Sequence, residues 1–223
     1  SLFEATSGLT TTGSTVVTDL VNQSRPVLLW RAIMQWVGGL GILSLGLILL
    51  PFLRVGGMQL FRMESSDRSD KPLPRLIEIS KSIIIIYVVL SVLCSICYLS
   101  VGMAPFDALT HAMTTVSTGG FSTHDESLGY YQGWPVLWVA IVFMIAGALP
   151  FSFFIAIFFA RNLPRYDPQI AVFFTLIILA CALVLFVDGW DHTTNFTQFS
   201  QYIFNVIAIL TTTGYASGNF MDY

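Results

Sequence analysis

Four apolar runs dominate the chain: residues 27–53, 77–101, 134–160 and 170–187. The first three have room for the roughly 20 residues that a helix needs to cross a bilayer, and the last is marginal in length. Within residues 83–93 no polar face is left to meet water, which argues against a surface helix of a soluble protein. Three shorter, moderately apolar segments, residues 2–9, 106–116 and 199–210, are the other predicted helices. As a helix, residues 106–116 reach only about half of a 30 Å hydrocarbon core. Each short segment runs into a similar uncharged stretch: Thr10-Thr11-Thr12-Gly13-Ser14, Thr114-Thr115-Val116-Ser117-Thr118-Gly119-Gly120-Phe121, and Thr211-Thr212-Thr213-Gly214-Tyr215. Aligned on Gly13, Gly119 and Gly214 they lie 119 − 13 = 106 and 214 − 119 = 95 residues apart, too far for solenoid units and suited to a repeated subdomain. A large apolar residue stands ten positions before each glycine, at Phe3, Leu109 and Phe204.

Composition supports a membrane protein: 55% of the 223 residues are hydrophobic and 10% charged, against roughly a quarter charged in soluble domains. The net charge of −3 matters less than its distribution. Arg54, Arg62, Arg68, Lys71, Arg75 and Lys81 flank one linker and Arg161 and Arg165 another, which makes both cytoplasmic by the positive-inside rule. Arg25 and Arg31 lie towards the other face, with Asp19, Asp107, Asp125, Glu126, Asp188, Asp191 and Asp222, a set that would concentrate cations. Because the next long run must again end at basic residues, parity requires each short segment to dip into the membrane and return.

The expected fold is therefore all-α and integral to the membrane, built from repeats of membrane helix, half-helix, loop and membrane helix. Its divisions are residues 1–53, the loop and second helix of a first repeat; 54–76, a cytoplasmic linker; 77–160, a complete second repeat; 161–169, a cytoplasmic loop; and 170–223, the first helix and loop of a third. Non-helical backbone survives at membrane depth only where protein or a watery cavity surrounds it. A Thr-Thr-Gly loop after a half-helix offers carbonyls, a hydroxyl and a glycine free to take positive φ, which is what a dehydrated monovalent cation needs. Helix C-termini add partial negative charge. Taken alone, one Thr-Thr-Gly is a common turn or helix cap; three in matched settings point to a pore lining.

Two other functions compete. A cation-coupled secondary transporter with re-entrant loops would usually carry an intramembrane acid, and none sits mid-span; Glu78 stands at the start of the second run, beside Arg75 and Lys81. An intramembrane hydrolase could use His111 and Ser117, but there is no Gly-x-Ser-x-Gly elbow, and His111 reads as a polar residue near the outer water. No enzymatic activity and no nucleic-acid partner are expected. Cys94, Cys97 and Cys181 read as small apolar fillers, Trp134, Trp138 and Trp190 as interface anchors, and Pro150 as a kink in the third long run. Arg31, a turn inside the first run, calls for a carboxylate partner.

The motifs Phe3-Glu4-Ala5-Thr6-Ser7-Gly8-Leu9-Thr10-Thr11-Thr12-Gly13, Gln35-Trp36-Val37-Gly38-Gly39-Leu40-Gly41-Ile42, Gly56-Gly57-Met58-Gln59-Leu60-Phe61-Arg62, Ser117-Thr118-Gly119-Gly120-Phe121-Ser122-Thr123 and Thr211-Thr212-Thr213-Gly214 together resemble the TrkH/TrkG/KtrB family of bacterial potassium uptake proteins, nearer TrkH and TrkG than KtrB. The resemblance implies four repeats around one potassium pathway, a multi-pass homodimer in the bacterial inner membrane, and a cytoplasmic nucleotide-binding subunit resembling TrkA as gatekeeper. Carried across by motif, Thr11, Thr12 and Gly13 belong to the first filter loop, Ser117, Thr118 and Gly119 to the second, and Thr212, Thr213 and Gly214 to the third. Potassium is the implied transported ion, and no other cofactor is implied. The fourth repeat, the first repeat's leading helix and the helix after the third loop are missing, so the chain is expected to be part of a longer protein that does not conduct without the rest. The Gly-Tyr-Gly run of dedicated potassium channels is also absent.

Overall fold

The structure, a computed structural model, describes residues 2–53, 72–131, 133–158, 167–187 and 195–218; for residues 42–53 and 72–78 it describes the backbone. Eight α-helices are found among them: α1 (Leu2–Leu9), α2 (Arg25–Leu53), α3 (Pro72–Ser100), α4 (Pro105–Val116), α5 (Trp134–Ala148), α6 (Phe151–Phe158), α7 (Pro168–Val187) and α8 (Phe196–Leu210). Short 3₁₀ turns occupy Leu20–Asn22 and Ser127–Tyr130. The linker residues Arg54, Arg62, Arg68 and Lys71, the Gly56-to-Arg62 motif, Arg161 and Arg165, and Asp188, Trp190, Asp191 and Asp222 lie outside the described residues.

The half-length helices come out as expected, with one change of boundary. Helix α8 begins at Phe196 because Asn195 closes a capping box with Gln198, so it starts three residues before the expected residue 199. In α4, Pro105 stands in the first turn, where its missing N–H costs nothing. Helix α7 carries no charged side chain. Ile79–Ser100 and Pro168–Val187 are long and apolar enough to cross a membrane, and only 6% of the second is buried. Phe186 is 84% and Ile178 66% exposed, an arrangement that suits lipid rather than water.

The third long run departs from a kinked span: α5 and α6 meet at 92°. Pro150 is the cause. Its ring drives Leu149 into extended backbone, φ −71° and ψ 146°, and α5 ends at Ala148. Inside the bundle α3 packs on α4, α5 on α8, and α2 on both α1 and α4. The buried centre contains Tyr87, Cys94 and Tyr98 of α3, Ala108 and Ala112 of α4, Ala140 and Met144 of α5 and Phe204 of α8. Cys94 is a core filler, and all three cysteines are free thiols.

Two helices are drawn close by glycines. A Cβ on Gly38 of α2 would collide with the carbonyl oxygen of Leu9, the last residue of α1, and one on Gly147 of α5 would press on that of Val116, the last residue of α4. Each second helix thus backs onto the carbonyl end of its half-helix through the same glycine contact.

Candidate functional site: three matched loops

Two residues past the ends of α1, α4 and α8 stand Thr11, Thr118 and Thr212, all in the left-handed region with φ of 55°, 51° and 60°. Two residues further, Gly13, Gly120 and Gly214 are left-handed as well, with φ of 79°, 77° and 74°. The hydrogen bonds repeat with the conformation. The N–H groups of Thr12, Gly119 and Thr213 donate five residues back to Ser7, Thr114 and Ala208, at 3.0, 2.9 and 2.9 Å. This is a Schellman-type closure, which ordinarily places glycine in the left-handed position. Here a β-branched threonine takes it three times, at a cost on the order of 1–3 kcal/mol each.

The conformations put the repeat in phase on Gly13, Gly120 and Gly214, with separations of 120 − 13 = 107 and 214 − 120 = 94 residues. Alignment on Gly119 is therefore one residue early, and Gly119 itself corresponds to Thr12 and Thr213. Two adjacent glycines in the second copy concealed the register. Thr118, Gly119 and Gly120, rather than Ser117, Thr118 and Gly119, match Thr11-Thr12-Gly13 and Thr212-Thr213-Gly214.

In this phase the loops interlock by one rule. The face where Gly13 would carry a Cβ lies against the Gly119 carbonyl, and the same face of Gly120 lies against the Thr213 carbonyl. Each glycine therefore meets the carbonyl of the residue preceding its equivalent in the next loop. The corresponding face of Gly214 meets nothing within 4 Å. At the opposite edge Thr10 and Thr12 are exposed, whereas Ser117 and Gly119 in the middle loop are buried.

Side chains hold this arrangement from behind. Fully buried Gln35 of α2 donates Nε2 to the Gly119 carbonyl at 2.7 Å and accepts the Phe121 N–H on Oε1 at 3.0 Å. Arg31 finds its carboxylate in Glu4 on α1, Nε to Oε2 at 3.1 Å, with both side chains buried. Arg31 also donates to Thr15 Oγ1 at 3.0 Å and lies 4.2 Å above the Phe121 ring, so one guanidinium joins α1, α2 and the second loop. Pairing makes the buried charge tolerable, since a lone one is strongly destabilising.

The residue after each in-phase glycine reaches back to the preceding half-helix where it is aromatic. Phe121 lies against Gly8 of α1. Tyr215 places its hydroxyl 2.6 Å from Thr114 Oγ1 and 3.1 Å from Thr115 Oγ1, and donates to the His111 carbonyl at 3.2 Å. Gly8 and Thr115 occupy equivalent positions, one before the last residue of their helices. Beyond the loops Leu20 N–H donates to the Asp125 carboxylate, at 3.2 and 3.0 Å to its two oxygens, and Gly129 N–H to the Ala216 carbonyl at 3.1 Å.

Two residues read otherwise from sequence. His111 is fully buried, with Nδ1 2.8 Å from the Asp107 carbonyl and Nε2 2.9 Å from Ser122 Oγ, and its side chain is not open to water. Trp138 donates Nε1 to Ser200 Oγ of α8 at 3.1 Å, so it ties two helices together. Trp134, 47% exposed at the start of α5, fits an interface position. Gln35 was not singled out from the sequence as a brace; an amide in an otherwise apolar run was the available signal. No group of three or more metal-ligating side chains occurs among the described residues.

Lipid-compatible helices throughout, with uncharged loops held inside by buried polar braces, define an all-α membrane protein. The chain belongs to the TrkH family, described as cation transport proteins, which matches residues 1–217. It is 42% identical to the Trk system potassium uptake protein TrkI of Halomonas elongata over 99% of this chain and 45% of that relative. It is 36% identical to the TrkH of Vibrio parahaemolyticus over 100% of this chain and 48% of the relative. A crystal structure of that potassium transporter superposes with a TM-score of 0.85 at 33% identity, covering 99% of this chain and 46% of the other. The chain spans about half the length of the curated relatives it matches. These relatives are transport proteins, not enzymes.

Proposed function

We propose that this chain supplies three of four filter loops of a potassium uptake pathway. The observation that carries the reading is the chained contact of three loops with one backbone conformation, left open at Gly214 on one edge and at Thr10 and Thr12 on the other. A fourth loop of the same shape, from sequence beyond this chain, would close a ring of uncharged backbone oxygens and hydroxyls, the chemistry that replaces the water shell of a monovalent cation. Thr11, Thr12 and Gly13, Ser117, Thr118, Gly119 and Gly120, and Thr212, Thr213 and Gly214 are its residues. The repeat divisions at 1–53, 77–160 and 170–223 follow from the same reading, as do the cytoplasmic segments 54–76 and 161–169. Names and titles of the relatives support potassium as the ion. The complete protein is read as a multi-pass homodimer of the bacterial inner membrane, gated by a cytoplasmic nucleotide-binding subunit like TrkA. Glu4, the buried acid that a coupled secondary transporter would need, is already neutralised by Arg31, which favours the pore reading.

The test is rubidium or potassium uptake by the full-length protein in cells lacking other potassium systems. Gly120→Val both strains a left-handed backbone and drives a side chain into the Thr213 carbonyl. Uptake or its preference over sodium should be lost with membrane abundance retained. Wild-type uptake and preference in that variant would overturn the filter assignment.

A further inference from the structure

With the repeat in its structural phase, three side chains of unlike chemistry fall at one position. Glu4, His111 and Asn205 each precede the left-handed threonine by seven residues (11 − 4, 118 − 111 and 212 − 205). Each contacts the strand that leaves its own loop. Glu4 Oε1 accepts from Thr15 Oγ1 at 2.8 Å and from the Val16 N–H at 2.7 Å. His111 Nε2 lies 2.9 Å from Ser122 Oγ, and Asn205 Oδ1 accepts from the Ser217 N–H at 3.2 Å. The partners are equivalent too: Ser122 corresponds to Thr15, since 122 − 107 = 15, and Ser217 to Val16, since 217 − 94 − 107 = 16.

The direction of the histidine bond follows from its other nitrogen. Nδ1 faces the Asp107 carbonyl, which can only accept, so Nδ1 carries the proton. Neutral His111 then has a lone pair on Nε2, and Ser122 donates to it. Ser122 Oγ in turn accepts the His124 N–H at 3.1 Å, which fits a hydroxyl whose proton is directed at the ring. A carboxylate, an imidazole and an amide thus do one thing, accepting a hydrogen bond from the outgoing strand four or five residues beyond the left-handed threonine.

We infer that Glu4, His111 and Asn205 are positioning residues that fix how far each outgoing strand stands from its half-helix, and so set the spacing of the loop oxygens on which ion discrimination depends. The inference rests on the filter reading. The threonine closure fixes only the start of each loop; further along, the shared acceptor ties the outgoing strand to its own half-helix. It does so beside bonds that differ from loop to loop, such as Ser7 Oγ to the Ser14 carbonyl at 2.6 Å, Thr123 Oγ1 to Asp107 Oδ1 at 2.8 Å and Ala216 N–H to Ser127 Oγ at 3.2 Å. Charge is not the common property, because one of the three acceptors is an ion and two are neutral. Glu4 has the added task of balancing Arg31, so Asn205 gives the cleanest test: it is half-buried, and its Oδ1 accepts the Ser217 N–H.

The experiment measures rubidium and sodium fluxes through the full-length protein in membrane vesicles, normalised to inserted protein, for wild type, Asn205→Leu, Asn205→Asp and Gly214→Val. Asn205→Leu keeps the size and removes the acceptor; it should lower rubidium-over-sodium discrimination several-fold, the order expected for one lost neutral hydrogen bond. Asn205→Asp retains Oδ1 and should recover most of the discrimination. Equal discrimination in wild type and Asn205→Leu overturns the inference, as does an equal loss in the leucine and aspartate variants. Gly214→Val separates the two readings. If it de-selects while Asn205→Leu does not, only the tether fails; if Gly214→Val also transports and selects like wild type, the filter assignment itself fails.

Discussion

Threonine in left-handed backbone is an unfavourable choice that glycine would avoid, yet Thr11, Thr118 and Thr212 all make it. Such strain persists only where the surroundings over-determine it, and here the surroundings are identifiable. For the middle loop they are Gln35, Tyr215 and the interlocked glycines. Gln35 satisfies one buried carbonyl and one buried N–H at once, so Gln35→Leu leaves both unpaired. The expected cost is about 2–6 kcal/mol of stability, from the usual penalty for two orphaned buried groups. Thermal unfolding of the purified protein in detergent checks it; a melting temperature equal to wild type would mean that Gln35 does not carry the second loop.

Helices α2 and α5 play corresponding parts, each backing onto its half-helix through Gly38 or Gly147, yet one continues for 29 residues and the other stops after 15. The difference lies three residues past the shared glycine. Gly41 stands there in α2 and Pro150 in α5. Glycine merely weakens a helix, whereas proline removes a donor and forces its predecessor out of helical backbone. The bend lets Phe151 reach Tyr87, their ring centroids 6.3 Å apart. Pro150→Ala should therefore allow α5 and α6 to join. Nitroxide labels at exposed Val142 and Ile157 should move apart in a pulsed spin-resonance measurement, and an unchanged distance would assign the bend to packing instead of the proline.

Across the whole molecule, the loops are linked in series: loop one against loop two through Gly13, loop two against loop three through Gly120. Substitutions at the two contacts should not act independently, because both displace the middle loop. Gly13→Ala and Gly120→Ala each introduce a Cβ into a neighbouring carbonyl, and the double variant should lose less rubidium uptake than the sum of the single effects, expressed as free energies. Strict additivity in the flux assay would show that the contacts are separate. The exposure of α7 is consistent with the same plan, in which outer helices face lipid and the polar inventory is spent on the loops.

Membrane class, the long helices and the half-helices were legible in the letters because hydropathy and length alone force them: an 11-residue apolar segment cannot cross a bilayer, whatever it packs against. The threefold recurrence was equally plain. Its phase was not. Gly119 and Gly120 are indistinguishable by composition, and only backbone torsions reveal which one matches Gly13. Arg31 announced its need for a carboxylate, since an unpaired charge there is untenable, but Glu4 as the partner required α1 and α2 to be packed together. Glu4, His111 and Asn205 share no chemistry that an alignment by residue type could detect; their common role appears only once three helix ends are superposed and each side chain is seen accepting from its own strand. Local chemistry along the chain thus dictates the elements, whereas correspondence between distant acceptors, donors and carbonyl faces exists only after the chain has brought them together.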